Sequence, residues 1–274
     1  MSRVLAGLIL TVLCLPAQAS ALVDGWGRSI EVPTHPPLRI AALAPHLVES
    51  LFALGLGDRV VATVSFADHP PAAQDLPRVG DAFALSWEAL AAARPDWILV
   101  WGAAVTPARL ARLEASGVPV YVSEPRSLAA VATELKVLTA ALGGAADVAE
   151  RFQRRLDALP GPGAVDAYRV LPLISAAPPM TLSEEHFVND LLAHCGATNP
   201  FPGTAGPVVR LSAERLLTVH LDLLLNLSSV PLPANLRLPA GTVVADIDPD
   251  LVVRPGPRVI EGAEQLCARL AELR

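Results

Sequence analysis

The stretch that decides the fold is Ser86-Trp-Glu-Ala-Leu-Ala-Ala-Ala-Arg-Pro-Asp-Trp-Ile-Leu-Val100, and the chain carries an echo of it. Laid on Ser212-Ala-Glu-Arg-Leu-Leu-Thr-Val-His-Leu-Asp-Leu-Leu-Leu-Asn226, its Ser, Glu, Leu, Asp and Leu coincide without a gap at an offset of 126 residues. Both copies read the same way. Serine caps a helix, glutamate lies in the first turn against the positive end of the helix dipole, and aspartate precedes a strand. A strand that is apolar throughout is covered on both faces, and such strands alternating with helices imply a parallel sheet. The long offset fits two similar lobes and not a solenoid of short repeats.

Working outward, the same alternation fills both halves. Leu22 to Val32 reads as a small hairpin with a turn at Asp24-Gly25 or Gly27. Strands are expected at 38–43, 59–64, 97–101 and 118–122, with helices at 45–54, 86–93 and 107–116. Pro45 and Gly55 mark the start and stop of the first helix. After the midpoint, strands are expected at 168–175, 221–227 and 242–247, with helices at 184–194, 212–219 and 256–270. Between the halves, 127–159 is helical in pattern, with a weak point at Gly143-Gly144. The breaker run Pro160-Gly-Pro-Gly163 follows. The plan is an N-terminal lobe at 20–126, a linking helix at 127–159 and a C-terminal lobe at 160–274.

The first residues carry a different signal. Arg3 is a short positive region, Val4 to Leu15 is apolar, Pro16 breaks it, and Ala17-Gln-Ala19 is a small-x-small cleavage site. That order describes a secretory signal peptide over 1–19, with a second cut open after Ala21. The apolar run is too short for a permanent membrane helix. Lipidation at Cys14 is disfavoured because Leu13 stands where a small residue is expected. Export removes Arg3, so the net charge moves from −6 to −7, which excludes a nucleic-acid binder with a basic face. Hydrophobic residues are 52% and charged residues 18%, a balance that buries a core and excludes disorder. Export also removes Cys14 and leaves Cys195 and Cys267. An even pair in an oxidising compartment suggests a bridge, and two buried thiols are the alternative.

The candidate functional residues cluster at strand ends and helix starts. Phe66, Phe83 and Trp101 lie at or near the carboxyl ends of strands, where open α/β sheets bind ligands; core packing is the plainer reading of each. Arg254 and Arg258 lie in a loop before the last helix and are available for a ligand amide or phosphate, or for an ion pair. Glu88 and Glu214 read evenly as dipole partners of their own helices or as matched acidic knobs for a two-fold partner. The six histidines are scattered, and none has metal-ligand spacing; His46 and His69 are the two that could face a cleft. No phosphate loop, nucleophile elbow or zinc-protease helix is present, so binding is expected and enzymatic activity is not.

On these residues the chain resembles the periplasmic binding proteins that carry cobalamin, siderophores and haem to ABC importers. The resemblance rests on Asp24-Gly-Trp-Gly-Arg-Ser-Ile30, Arg39-Ile-Ala-Ala-Leu-Ala-Pro-His-Leu-Val-Glu49, Asp68-His-Pro-Pro71, Leu76-Pro-Arg-Val-Gly80, Ser86-Trp-Glu88 and Arg94 to Trp101. In the second half it rests on His194-Cys-Gly-Ala-Thr-Asn-Pro-Phe201, Leu211-Ser-Ala-Glu214 and Arg254-Pro-Gly-Pro-Arg258. It implies the α/β class III fold: two Rossmann-like lobes with parallel sheets joined by one long helix, with the ligand between them. It implies a Cys195–Cys267 disulfide, docking of Glu88 and Glu214 on an ABC permease with its ATPase, and a periplasmic monomer. It implies a corrinoid, cobalamin or a relative, as transported ligand, with no resident cofactor and no metal. Phe66, Trp101 and Arg254 fall at ligand-lining positions of the family. Departures occur at Ala82 with Phe83 alongside, at Met180 and at Val208, each standing where the family has an aromatic. Haem or a ferric siderophore is the alternative ligand, and the two tyrosines are few for a siderophore site. A metal-ion receptor and an exported hydrolase are the remaining rivals.

Overall fold

The computed structural model describes residues 21–273 apart from 36, 82–83, 163–167, 202 and 204–205. The expected signal peptide and Phe83 therefore lie outside the described residues. A small antiparallel hairpin, β1 (Ala21–Val23) and β2 (Ser29–Glu31), opens the chain. The first lobe then alternates β3 (Ile40–Leu43), α1 (Pro45–Ala53), β4 (Val60–Thr63), α2 (Trp87–Ala92), β5 (Trp97–Trp101), α3 (Pro107–Glu114) and β6 (Val120–Ser123). Its sheet has the order β4-β3-β5-β6 and every pairing is parallel. β3 is buried at all its residues, as is β5 up to Val100, which is why these strands read as unbroken apolar runs. Proline opens α1 and α3, where a missing amide proton costs nothing, and the Ser86 and Thr106 hydroxyls cap α2 and α3.

The linking segment differs from the single helix expected over 127–159. It is two helices, α4 (Leu128–Leu142) and α5 (Asp147–Asp157). The break falls at the Gly143-Gly144 pair: Gly143 takes φ +73°, and a Cβ on Gly144 would lie 2.5 Å from the carbonyl oxygen of Leu54. Only glycine fits that left-handed, close approach. The Ala145 amide then donates to the same Leu54 carbonyl at 2.9 Å, which ties the break to the first lobe.

The second lobe contains β7 (Tyr168–Ala176), β8 (Pro179–Leu182), α6 (Val188–His194), β9 (Ala197–Thr198) and β10 (Val208–Arg210). It continues through α7 (Ala213–Thr218), β11 (Leu223–Asn226), β12 (Val243–Asp246), α8 (Asp250–Val253) and α9 (Val259–Ala271). A fully parallel sheet was expected here, but the sheet is mixed. β9, β7, β11 and β12 run parallel, whereas β8 pairs antiparallel with both β7 and β10. The turn at Ala177-Pro178 sends β8 straight back along β7 with no room for a crossover helix, so the pairing has to be antiparallel.

The echo in sequence is an echo in structure. Asp96 accepts from the Arg39 amide at 2.8 Å, and its own amide donates back to the Arg39 carbonyl at 2.8 Å. Asp222 repeats this with Arg169 at 2.6 and 3.0 Å. Each pair locks the start of one central strand to the strand that follows its helix. One continuous core joins the lobes: Leu47 and Leu51 of α1, Leu135 and Leu138 of α4, Phe152 of α5, and Leu191 and Leu266 of the second lobe belong to it. Separate apolar clusters cover the far face of each sheet. Lobes that share a close-packed core with their linker hinge stiffly, because interiors resist voids and overlap.

Candidate functional site

The carboxyl edges of the two sheets carry the candidate residues, at the place where open α/β folds generally bind ligands. In the first lobe, the loop after β4 presents Phe66, which is 74% exposed and has φ +66°. That backbone conformation costs a non-glycine residue about 1–2 kcal/mol. A large ring held outward in a strained loop is the kind of feature that marks a contact surface. Trp101, the last residue of β5, is half-buried and lies edge-on to the His46 ring at 5.8 Å between centroids. In the second lobe Met180 is half-buried in β8, opposite Ser175 near the carboxyl end of β7. Val208 in β10 is exposed.

Arg254 is not a free donor. Its guanidinium meets Glu49 at 3.1 Å, Asp68 at 2.9 Å and Asp250 at 2.7 Å, with its side chain only 11% exposed. Arg258 adds a two-pronged bond to the same Glu49. Glu49 stands on α1 and Asp68 on the loop of Phe66, so the two arginines carry the second lobe onto the first. Partial burial pushes the Asp68 carboxyl up, but the hydrogen bond and charge of Arg254 outweigh it and hold the group below the usual range. Three carboxylates thus already engage both terminal nitrogens of the Arg254 guanidinium.

His46 is buried and points away from the solvent, with Nε2 2.9 Å from the Ser123 hydroxyl. Burial, aided by the charge of Arg254, drops its pKa to about 3, so the ring is neutral. The chain continues inward. The Ser123 hydroxyl donates to Glu134 at 2.9 Å and the Tyr121 hydroxyl donates to the other oxygen at 3.1 Å. Burial raises Glu134 to about 7 despite both hydrogen bonds. His69 borders a cavity of about 380 Å³ where Phe52, Phe152, Arg155 and Arg258 meet. Among the described residues, no group of three or more His, Cys, Asp or Glu side chains is arranged to hold a metal ion.

Glu88 and Glu214 are both exposed in the first turns of α2 and α7, behind the caps Ser86 and Ser212, and neither makes an ion pair among the described residues. Cys195, at the end of α6, is bonded to Cys267 of α9. Sequence reasoning missed Glu49 and Glu134 as the buried acids that organise the interior. The available signal was an acid on an apolar stripe: Glu134 follows Val131 by three residues and precedes Leu138 by four, on the buried side of α4.

Comparison with known proteins agrees with this architecture. A vitamin B12-binding protein of Vibrio cholerae serotype O1 is 28% identical over 247 residues, covering 86% of this chain and 90% of that protein. One from Yersinia pseudotuberculosis is 27% identical over 279 residues, covering 99% and 94%. The crystal structure of the periplasmic vitamin B12 binding protein BtuF of Vibrio cholerae superposes with TM-score 0.74 at 27% identity, over 86% of this chain and 98% of that one. The periplasmic heme-binding protein BhuT shares the fold with TM-score 0.71 at 24% identity, over 86% and 98%. The match of residues 40–234 to the periplasmic binding protein profile shows that the chain belongs to the periplasmic binding protein family.

Proposed function

We propose that this chain is the exported binding component of an ABC importer, and that it captures a corrinoid, cobalamin or a relative, between its lobes and delivers it to the inner-membrane permease. The observation that carries this is the likeness to vitamin B12-binding proteins along nearly their whole length. Residues 1–19 direct export to the periplasm and are cleaved there. Phe66 and Trp101 line the first-lobe side of the cleft, and Met180 faces them from the second. Apolar rings and a thioether suit a bulky, largely hydrocarbon macrocycle. Arg254 gives up one of its carboxylates to a polar group of the ligand. Glu88 and Glu214 dock on the permease, one from each lobe.

No bond is made or broken in this cycle. The lobes adjust about a stiff linker, the ligand is held by burial and a few hydrogen bonds, and the permease receives the closed form. Titration of tryptophan fluorescence with cyanocobalamin, cobinamide, haem and a ferric siderophore tests the ligand. Saturable quenching by a corrinoid is expected. Silence toward both corrinoids, with saturation by haem or a siderophore, rejects the corrinoid assignment and leaves the fold intact.

A further inference from the structure

We infer that Trp26, at the tip of the N-terminal hairpin, is a ligand-contact residue of the cleft and completes an aromatic row along the carboxyl edge of the first lobe. The inference rests on the cleft being the binding site, as proposed above.

The hairpin is anchored without help from the indole. Asp24 accepts from the amides of Trp26 and Arg28 at 3.0 and 2.9 Å and from the Val122 amide at 3.2 Å. The Gly25 amide donates to the Val122 carbonyl at 2.7 Å, and Arg28 reaches the Val120 carbonyl at 2.9 Å. These bonds fix the turn and cover β6, which would otherwise be an open sheet edge. None of them needs a large ring at position 26.

The ring is nevertheless held in one place. Its Nε1–H donates to Glu124, the residue just past β6, and Glu124 is braced by Arg126 at 2.6 Å. Gly102, the residue just past Trp101, lies under both: a Cβ there would stand 2.6 Å from Glu124 Oε2 and 2.8 Å from Trp26 Nε1. So the indole sits at the carboxyl edge of β5 and β6, beside the residue that follows Trp101. Its one polar atom is satisfied by Glu124, and Trp26 as a residue is 36% exposed. What it offers outward is hydrocarbon.

Strand order turns this into a row. The sheet runs β4-β3-β5-β6, so its carboxyl edge presents Phe66, then Pro45 with His46 behind it, then Trp101, then Trp26. Neighbouring strands are about 4.8 Å apart, so the row spans roughly 15 Å. That breadth suits a flat macrocycle lying across the whole edge. The second lobe lacks the matching rings, with Met180 and Val208 at those places, so the first lobe supplies a larger share of the apolar contact.

The test uses the mature protein with 5-fluorotryptophan in place of tryptophan. Four fluorine resonances are expected, and Trp26→Phe assigns one. Addition of cyanocobalamin should shift both the Trp26 and Trp101 resonances. By calorimetry, Trp26→Ala should weaken cyanocobalamin binding by about tenfold, and Trp26→Phe by less, as expected for loss of one aromatic contact. An unshifted Trp26 resonance in a protein that binds, or a Trp26→Ala affinity within a factor of two, overturns this inference alone. Wild-type protein that binds neither corrinoid nor haem overturns the reading of the cleft along with it.

Discussion

Glu49 of the first lobe holds Arg258 of the second by both prongs, with Arg258 Nε donating to Oε2 at 2.9 Å and Nη2 to Oε1 at 2.8 Å. Arg254 shares the same carboxylate at 3.1 Å, and the Glu49 side chain is 2% exposed. A buried acid serving two cations contributes little net energy against a well-packed apolar substitute, but removing it takes from Arg258 its two-pronged partner and from Arg254 one of three carboxylates. Glu49→Ala should therefore destabilise the protein by about 3 kcal/mol, the scale for breaking a buried ion pair. Urea unfolding measures this through its midpoint. A midpoint unchanged from wild type would mean that the two arginines find other partners at no cost, and that the lobes are not held by this cluster.

Glu134 gives a pH signature with a definite sign. Burial raises its folded pKa from 4.5 to about 7, so between those values the folded state binds a proton that the unfolded state has lost. Stability from this group is thus fully present below pH 4.5 and is lost as pH rises through 7. His46 and His186 act oppositely: burial lowers them to about 3 and about 4, so they stabilise above 6.5 and that contribution is lost as pH falls. The groups facing Glu134 are Tyr121 and Ser123 from β6, with His46 beyond Ser123. The difference between wild type and Glu134→Gln isolates the acid. Relative to the variant, wild type should lose on the order of 3 kcal/mol of unfolding free energy between pH 4.5 and 7.5. A difference independent of pH would show that Glu134 is ionised in the fold.

The parts of this molecule that were legible in sequence are those whose causes are local. The strand over 97–101 appears at those residues because five apolar side chains in a row, after an aspartate, need cover on both faces. Ser86 and Ser212 cap their helices because a serine hydroxyl reaches the amide three residues on. β8 and β10 escaped notice because Pro-Met-Thr-Leu and Val-Val-Arg are too short to show a period, and each is a strand only by virtue of its neighbour. The break after Leu142 was visible as two glycines. Its meaning was not, since the close approach to Leu54 is a tertiary fact. The site shows the same division. Phe66, Trp101 and Met180 were named from strand ends and resemblance. The capture of Arg254 by Glu49 and Asp68 depends on residues 205 and 186 positions away, which no local pattern encodes.

The disulfide should matter for stability and not for the site. Cys195 and Cys267 are 72 residues apart in sequence and join α6 to α9, within the second lobe and away from the sheet edges that carry Phe66 and Trp101. In the loop-entropy account, a closed loop of that length contributes about 4 kcal/mol. Replacing both cysteines by alanine should lower the unfolding free energy by about that amount and leave corrinoid affinity within a factor of about two. The unreduced, denatured mature protein should also contain no free thiol. Two thiols per chain in that assay would refute the bridge.

Glu88 and Glu214 offer the sharpest separation of roles. Within this chain each carboxylate complements only its own helix dipole, a contribution of about 0.3–1 kcal/mol at an exposed site. Neither is buried, and neither makes an ion pair among the described residues. Reversing both, Glu88→Arg with Glu214→Arg, should therefore shift stability by about 1–2 kcal/mol at most and leave ligand affinity unchanged. If each acid meets a basic fork on one half of a paired permease, the same double change sets like charges against each other on both sides, at a cost of several kcal/mol each. Corrinoid uptake by cells carrying the double variant should then be lost, with each single variant intermediate. Measured uptake at the wild-type rate, in a double variant that folds and binds, would remove the docking role and leave both residues as partners of their own helix dipoles.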